Sequence, residues 1–460
     1  MKKGKKAAPN SSSGILLLIA ALLALTALRI AVATTGSLTE GESFLLVCSS
    51  RPAGGYVEGP GGLPLLLALL HPFGLAGFPA LRWISPICLL PLSWCVWWIA
   101  RRLDPHRPVV ALWAALVFNL LPPVNSASLV MNGAVLSATA LLLALVAGWR
   151  AVISHSGRLP AWGLFGATLV ISTQFRQESG LLLPAALLFC FVRGGFGSIP
   201  WKGVSAATAL LALGWVQAIS WNARHDWIQW AGIATPFDSV SVFGNSFSLG
   251  LLLILCAVFT PVLVRSAFLT RALRILVLLL ALVSLCASAV IFTAPSFLPP
   301  GLPDPVGMSG IDTLTTEALT LRTQRPDAKG RQSFLIAQTP GLAAAAGSRI
   351  RIDYPERPGA PSVFVLESPS MASSYALWPS YAEAVAAAQT DQLYTQEKSA
   401  SPFLGRNALY LTTESREALP QTITGSFDAI ALLKEVPIQR GRKTETVRIY
   451  QCESYHPLAL

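Results

Sequence analysis

GILLLIAALLALTALRIAVA, residues 14–33, is the stretch on which the fold turns: twenty residues with a single charge, Arg29. At about 1.5 Å per residue they make roughly 30 Å of helix, the thickness of a bilayer's hydrocarbon core. The preceding MKKGKK is basic and Ala31-Val32-Ala33 has the small-residue form of a cleavage site, so a signal peptide is the competing reading. The run exceeds the ~7–15 residues of a signal peptide's apolar core. Arg29 stands near its outer end, where a long side chain can snorkel to the interface.

Eight further apolar runs follow, at 79–100, 109–122, 133–148, 161–175, 180–192, 204–221, 249–264 and 275–294. They predict a polytopic α-helical membrane protein of about nine spans. The runs at 109–122 and 180–192 fall short of the ~17 residues of a full span, which suits tilted or partly re-entrant segments. Charged residues make up 12% of the chain, where a soluble globular chain carries about 25%. Their placement is uneven. Residues 1–294 hold 19 basic and seven acidic side chains, a net of +12, and residues 295–460 net −1. The soluble portion therefore lacks the basic face that binding DNA or RNA requires, which argues against nucleic acid as a partner.

With the N-terminus inside, 14 of those 19 basic residues fall in cytoplasmic segments, as membrane topology favours. This orientation places the chain in the cytoplasmic (inner) membrane with residues 295–460 outside it. Five of the seven cysteines sit in spans as small apolar fillers. Cys48 and Cys452 are expected to be exposed on the outer side, where an oxidising compartment permits a disulfide between them. The sequence has no CxxC, HExxH, Walker A or GxSxG motif, so zinc, P-loop and serine-hydrolase chemistry have no support.

Two long outer loops are expected, at 34–78 and 222–248, the first with an apolar piece, 63–70, that suits a helix lying in the membrane interface. A Pro-rich linker, 295–305, leads into a C-terminal extracytoplasmic α/β domain spanning 295–460. Strands are predicted there at 333–337, 362–366, 408–412 and 446–451, with helices at 312–322 and 381–391.

Ionisable residues at membrane spans are costly and so mark candidate sites. Glu40, Glu42, Glu58 and Arg51 on the first outer loop, Arg176 and Glu178 between spans five and six, and Arg224, His225 and Asp226 after span seven can face one cavity at the outer leaflet. Carboxylates there can deprotonate an acceptor hydroxyl or hold a divalent cation, and arginines can grip a phosphate. Each also has a plainer role: solvation of the loop for Glu40, an ion pair for Arg176 with Glu178, loop ordering for His225 with Asp226.

Four stretches carry a resemblance. They are Leu38-Thr39-Glu40-Gly41-Glu42-Ser43-Phe44, Gly55-Tyr56-Val57-Glu58-Gly59-Pro60, Arg176-Gln177-Glu178 opening a Leu-rich span, and Trp221-Asn222-Ala223-Arg224-His225-Asp226-Trp227. The layout resembles the C-type glycosyltransferases, the group of the bacterial aminoarabinose transferases and the protein O-mannosyltransferases. The resemblance implies a transferase with a polyprenyl-phosphate sugar donor, inversion at the anomeric carbon, and a lipid, glycan or protein acceptor. It implies that Glu42 or Glu40 is the base or the acid linked to a metal, with Glu58 as second polar partner. Arg176, with Arg51, would contact the donor phosphate, and Tyr56, Glu178, Arg224, His225 and Asp226 would shape the pocket. The sequence also departs from the family: its leading Asp falls on Gly41, its loop His on Gly59, and a further acid falls near Asn132. A member that binds glycolipid without turnover is therefore the alternative. A transporter has the least support, because the few intramembrane charges do not spread across the midplane.

Overall fold

The computed structural model describes residues 11–75, 77–131, 133–153, 159–231, 244–269, 275, 279, 282–287, 290, 308–350, 352, 354, 357–366, 373–381, 402–440 and 443–456. Helices are α1 (Ser11–Ala33), α2 (Glu40–Ser49), α3 (Gly62–Leu70), α4 (Ile84–Leu103), α5 (Pro108–Leu120), α6 (Pro122–Ser128), α7 (Gly133–Ile153), α8 (Leu159–Phe175), α9 (Leu182–Gly194), α10 (Trp201–Arg224), α11 (Ile228–Ala231) and α12 (Gly244–Leu269). Eight of the nine apolar runs are thus helical. Most of the ninth, the linker 295–305 and the helix expected at 381–391 fall outside the described residues. Among those described, α1, α4, α7 and α10 are long and apolar enough to cross a bilayer, and α5 with α6, bent by 61°, makes a fifth if the pair is one span.

Small residues let the helices close on one another, as packing without a hydrophobic drive requires. Cys95 of α4, Ala111 and Ala114 of α5, Ala138 of α7 and Ala257 of α12 meet in one core. The bend between α5 and α6 leaves backbone carbonyls without helical partners, and Arg29 answers for one of them. Its guanidinium is 1% exposed and donates to the Asn119 carbonyl at 2.7 Å. It also donates to Asn119 Oδ1 at 3.0 Å and to Asn125 Oδ1 at 2.7 Å. The expected snorkelling does not occur, because a backbone acceptor in apolar surroundings needs a donor more than Arg29 needs water.

The C-terminal domain is a six-stranded sheet of order β3-β7-β8-β6-β4-β5. After the short hairpin β1 (Gly55–Tyr56) and β2 (Gly59–Pro60) of the first outer loop, its strands are β3 (Met308–Ser309), β4 (Phe334–Ala337), β5 (Phe364–Val365), β6 (Ala408–Thr412), β7 (Phe427–Arg440) and β8 (Lys443–Tyr455), with helices α13 (Ile311–Gln324) and α14 (Pro340–Arg349). The β4 strand is parallel to β5 and β6, and the other pairings are antiparallel. Both faces of β4 and β6 are covered, which explains their unbroken apolar runs. Leu335 and Leu409 face one core, and Phe334 and Tyr410 face an aromatic core on the other side. The sequence reading located β4, β5, β6 and the middle of β8; it missed the two-residue β3 and also β7, whose alternation is broken by a register shift between Leu432 and Lys434.

Phe44 and Cys48 of α2, with Tyr56, belong to the same apolar core as Leu314, Leu342 and Ile449. A boundary at residue 294 therefore divides the sequence but not the packing: the first outer loop folds as part of the C-terminal domain. Cys48 and Cys452 are buried rather than exposed, and both are free. They lie in the cores on opposite faces of the sheet, which rules out the bridge expected between them.

Candidate functional site

Thr39 and Glu42 decide where α2 begins. The Thr39 side chain accepts from the Glu42 amide and the Glu42 carboxylate accepts from the Thr39 amide, a reciprocal cap at the helix start. The same carboxylate is fully buried against Arg82, with Nε at 2.8 Å and Nη2 at 2.7 Å. It also accepts from the Met131 amide at 2.8 Å. Arg82 meanwhile donates to Ala33 O at 2.7 Å, at the C-terminal end of α1. Glu42 thus ties α1, α2, the turn before α4 and the turn before α7 into one junction. Glu42, expected as the base, is held by Arg82 and two backbone amides, and its partner Arg82 went unnoticed because nothing local in the sequence connects residues 42 and 82.

Glu40, two residues earlier, points to the C-terminal domain. Its carboxylate lies at the N-terminus of α14, against Gly341; a Cβ there would come within 2.6 Å of Oε2. An anion in that place is favoured by the helix's N-terminal partial charge. The Glu40 carboxyl is the far end of a flexible side chain, so Gly341→Ala is expected to turn it aside and leave the thermal midpoint in detergent near the wild-type value; a clear fall in the midpoint would show that the carboxylate is held rigidly at the helix start.

The remaining loop residues converge. Tyr56 is buried, its hydroxyl accepting from the Ala53 amide at 3.1 Å and lying 2.8 Å from Arg51 O. Its neighbour Glu58 accepts from the Ser374 amide at 2.9 Å and also from the Ser374 hydroxyl. Burial pushes the Glu58 carboxyl above its usual range, and the Ser374 hydrogen bonds hold it back. The Arg51 guanidinium stacks on Trp378 at 4.7 Å and donates through Nη2 to Ala360 O at 2.6 Å. Its Nη1 is buried and has no hydrogen-bond partner. Burial weakens the hold of Arg51 on its proton.

The second wall comes from the helix ends. Arg176 follows α8 and is buried, its Nε 3.9 Å from the half-exposed Glu178 carboxylate. At the end of α10, His225 stacks on Trp221 at 4.2 Å, with Nδ1 2.7 Å from Trp221 O. Arg224 and Asp226 are exposed. Asp226 and Trp227 take left-handed backbone conformations, φ 52° and 57°, a strained pair held by the Trp227 amide on Asn222 O at 2.9 Å. That turn carries Gln229 back to the first loop, where its amide donates to Tyr56 O at 3.0 Å and to Gly59 O. Gln229 also accepts from Gln177 at 2.8 Å and Asn222 at 2.9 Å. Gly55 makes the approach feasible: a Cβ would sit 2.9 Å from the Trp221 ring.

The structure therefore brings Arg51, Tyr56 and Glu58 together with the His225 turn and the Arg176 turn, and takes Glu40 and Glu42 elsewhere. Sequence reasoning missed Arg82, Ser374, Trp378 and Gln229. Among the described residues no three His, Cys, Asp or Glu side chains converge to hold a metal ion. Glu42, with its oxygens engaged by Arg82 and two amides, is a poor ligand for one.

Residues 60–221 match the family model described as dolichyl-phosphate-mannose-protein mannosyltransferase. The fold matches that of ArnT from Cupriavidus metallidurans bound to undecaprenyl phosphate, with a TM-score of 0.51 at 11% identity, covering 94% of this chain and 97% of that one. The apo form of the same protein matches with a TM-score of 0.53 at 12% identity, covering 96% and 98%. No curated protein matches the sequence. The chain shares the fold of the Cupriavidus metallidurans ArnT and is a membrane protein.

Proposed function

We propose that the protein transfers a sugar from a polyprenyl-phosphate donor to an acceptor at the extracytoplasmic face of the cytoplasmic membrane. The observation that carries this reading is the junction of Glu58 and Arg51. A carboxylate with acceptor capacity left over stands in the same loop as a guanidinium whose buried Nη1 lacks a partner. A lone buried donor costs about 1–3 kcal/mol, a cost that an anionic ligand such as the donor phosphate would offset. In the reaction the acceptor O–H gives its proton to Glu58, the acceptor oxygen bonds to the anomeric carbon, and the bond from that carbon to the phosphate oxygen breaks. The electron pair leaves on polyprenyl phosphate, where Arg51 and Arg176 balance the charge.

The test is thermal stabilisation by undecaprenyl phosphate, since a ligand that binds the folded state raises its apparent stability. Arg51→Ala and Arg176→Ala are each expected to weaken lipid binding about tenfold or more, from losing the roughly 1.5–3 kcal/mol of a hydrogen bond to a charged group. A wild-type protein unmoved by any polyprenyl phosphate would overturn the donor site.

A second reading has its own observation. Where the resemblance implies an Asp, this chain has Gly41, and Glu42 beside it is neutralised by Arg82. Those two facts favour a member that holds the glycolipid without turning it over. Binding that survives with no sugar transfer by purified protein would select it.

A further inference from the structure

We propose that Ser374 is a positioning residue for Glu58, so that the C-terminal domain supplies part of the reaction centre through the single turn Ser374–Trp378. This rests on Glu58 being the base in the reading above. Three hydrogen bonds define the arrangement. The Ser374 amide donates to Glu58 Oε1 at 2.9 Å, and its hydroxyl donates to Oε2. The Val57 amide donates to Ser374 Oγ at 3.0 Å, which fixes the hydroxyl rotor with its hydrogen toward the carboxylate. Ser374 is 1% exposed, so no water competes for the place.

One donor on each oxygen holds the carboxylate plane in one orientation. An ionised carboxylate offers about four acceptor sites; the two Ser374 donors and the backbone amide of Glu58 itself take three, so one stays open for an acceptor hydroxyl. The same turn continues to Trp378, whose ring carries Arg51, and to Tyr375, which packs on Phe44 of α2 at 6.2 Å. One short piece of the C-terminal domain thus aims both the carboxylate and the guanidinium. A purely structural serine would need neither a donor on each oxygen nor a rotor fixed by a third group.

The groups acting on this carboxylate come from both sides of the junction. Glu58 influences Cys48 and Tyr56 from the loop and Tyr375 from the domain, with Arg51 as the cation beside them. Burial raises the pKa of Cys48, Tyr56 and Tyr375, so they stay neutral around neutral pH, and burial also pushes the Glu58 carboxyl up. Hydrogen bonds to the charged form favour it. Loss of the Ser374 hydroxyl therefore moves Glu58 protonation to higher pH.

The experiment is an infrared titration of the protonated carboxyl band in wild type, Ser374→Ala and Ser374→Thr, with Glu58→Gln identifying the band. A transfer assay over the same pH range accompanies it. Ser374→Ala is expected to raise the titration midpoint and the acid limb of the transfer profile together by about one pH unit, and Ser374→Thr to restore both. An unchanged midpoint in folded Ser374→Ala overturns the inference, as does a midpoint that moves while the transfer profile stays in place. If wild type shows no transfer while the midpoint moves as expected, the transferase reading falls and the hold of Ser374 on Glu58 stands.

Discussion

Arg82→Met is expected to destabilise the protein by about 3–5 kcal/mol, the cost of leaving one member of a buried ion pair alone. Glu42 would keep its place at the start of α2 with no cation near it, and Ala33 O would lose a donor at the end of α1. Glu42→Gln acts on the same junction from the other side and is expected to fall in the same range. The double variant should cost less than the sum of the two singles, because the second substitution removes the charge that the first left stranded. Unfolding in detergent, followed by a fluorescence probe, measures all three. Strict additivity would show that the two side chains are held independently by their backbone partners. One consequence concerns assays: the loss of activity expected of Glu42→Gln on sequence grounds would report a damaged fold, so it cannot identify a base.

Glu58→Gln is the variant that can. The amide keeps the size of the carboxylate, and its oxygen can still accept from the Ser374 amide, so the loop should stay folded. What it loses is the ability to take a proton. Sugar transfer is expected to fall about 10²–10⁴-fold, the usual contribution of a positioned general base, while stabilisation by undecaprenyl phosphate stays near the wild-type level. Single-turnover transfer by purified protein, wild type beside the variant, reads the effect directly. Full transfer by Glu58→Gln would move the base to another group. A loss of lipid binding along with activity would mean that Glu58 shapes the donor site rather than the chemistry.

Much of this site was legible in part. Thr39-x-x-Glu42 has the spacing of a capping box, and that signal alone points Glu42 toward a structural role. The Trp221-Asn222 stretch was recognisable as a motif, but its purpose was not. Asn222 and the left-handed pair at Asp226 and Trp227 turn the chain so that Gln229 meets Tyr56, 173 positions away. Arg51 was legible as a candidate cation, whereas its ring partner Trp378 and its carbonyl partner Ala360 come from the other end of the chain.

The sequence by itself determined the membrane class, the helical runs, the near-neutral α/β domain and the set of ionisable residues available for chemistry. Those follow from composition and period, which are local quantities: an apolar run of span length has no other stable form in a bilayer, and strands and helices announce themselves by alternation. Tertiary structure alone decided which acid is spent and which is kept. Glu40, Glu42 and Glu58 look alike in a loop, and they separate only when α14, Arg82 and Ser374 arrive from distant segments. A carboxylate's role is set by what fills the few ångströms around it, and in this chain those neighbours lie 40 to 316 positions away.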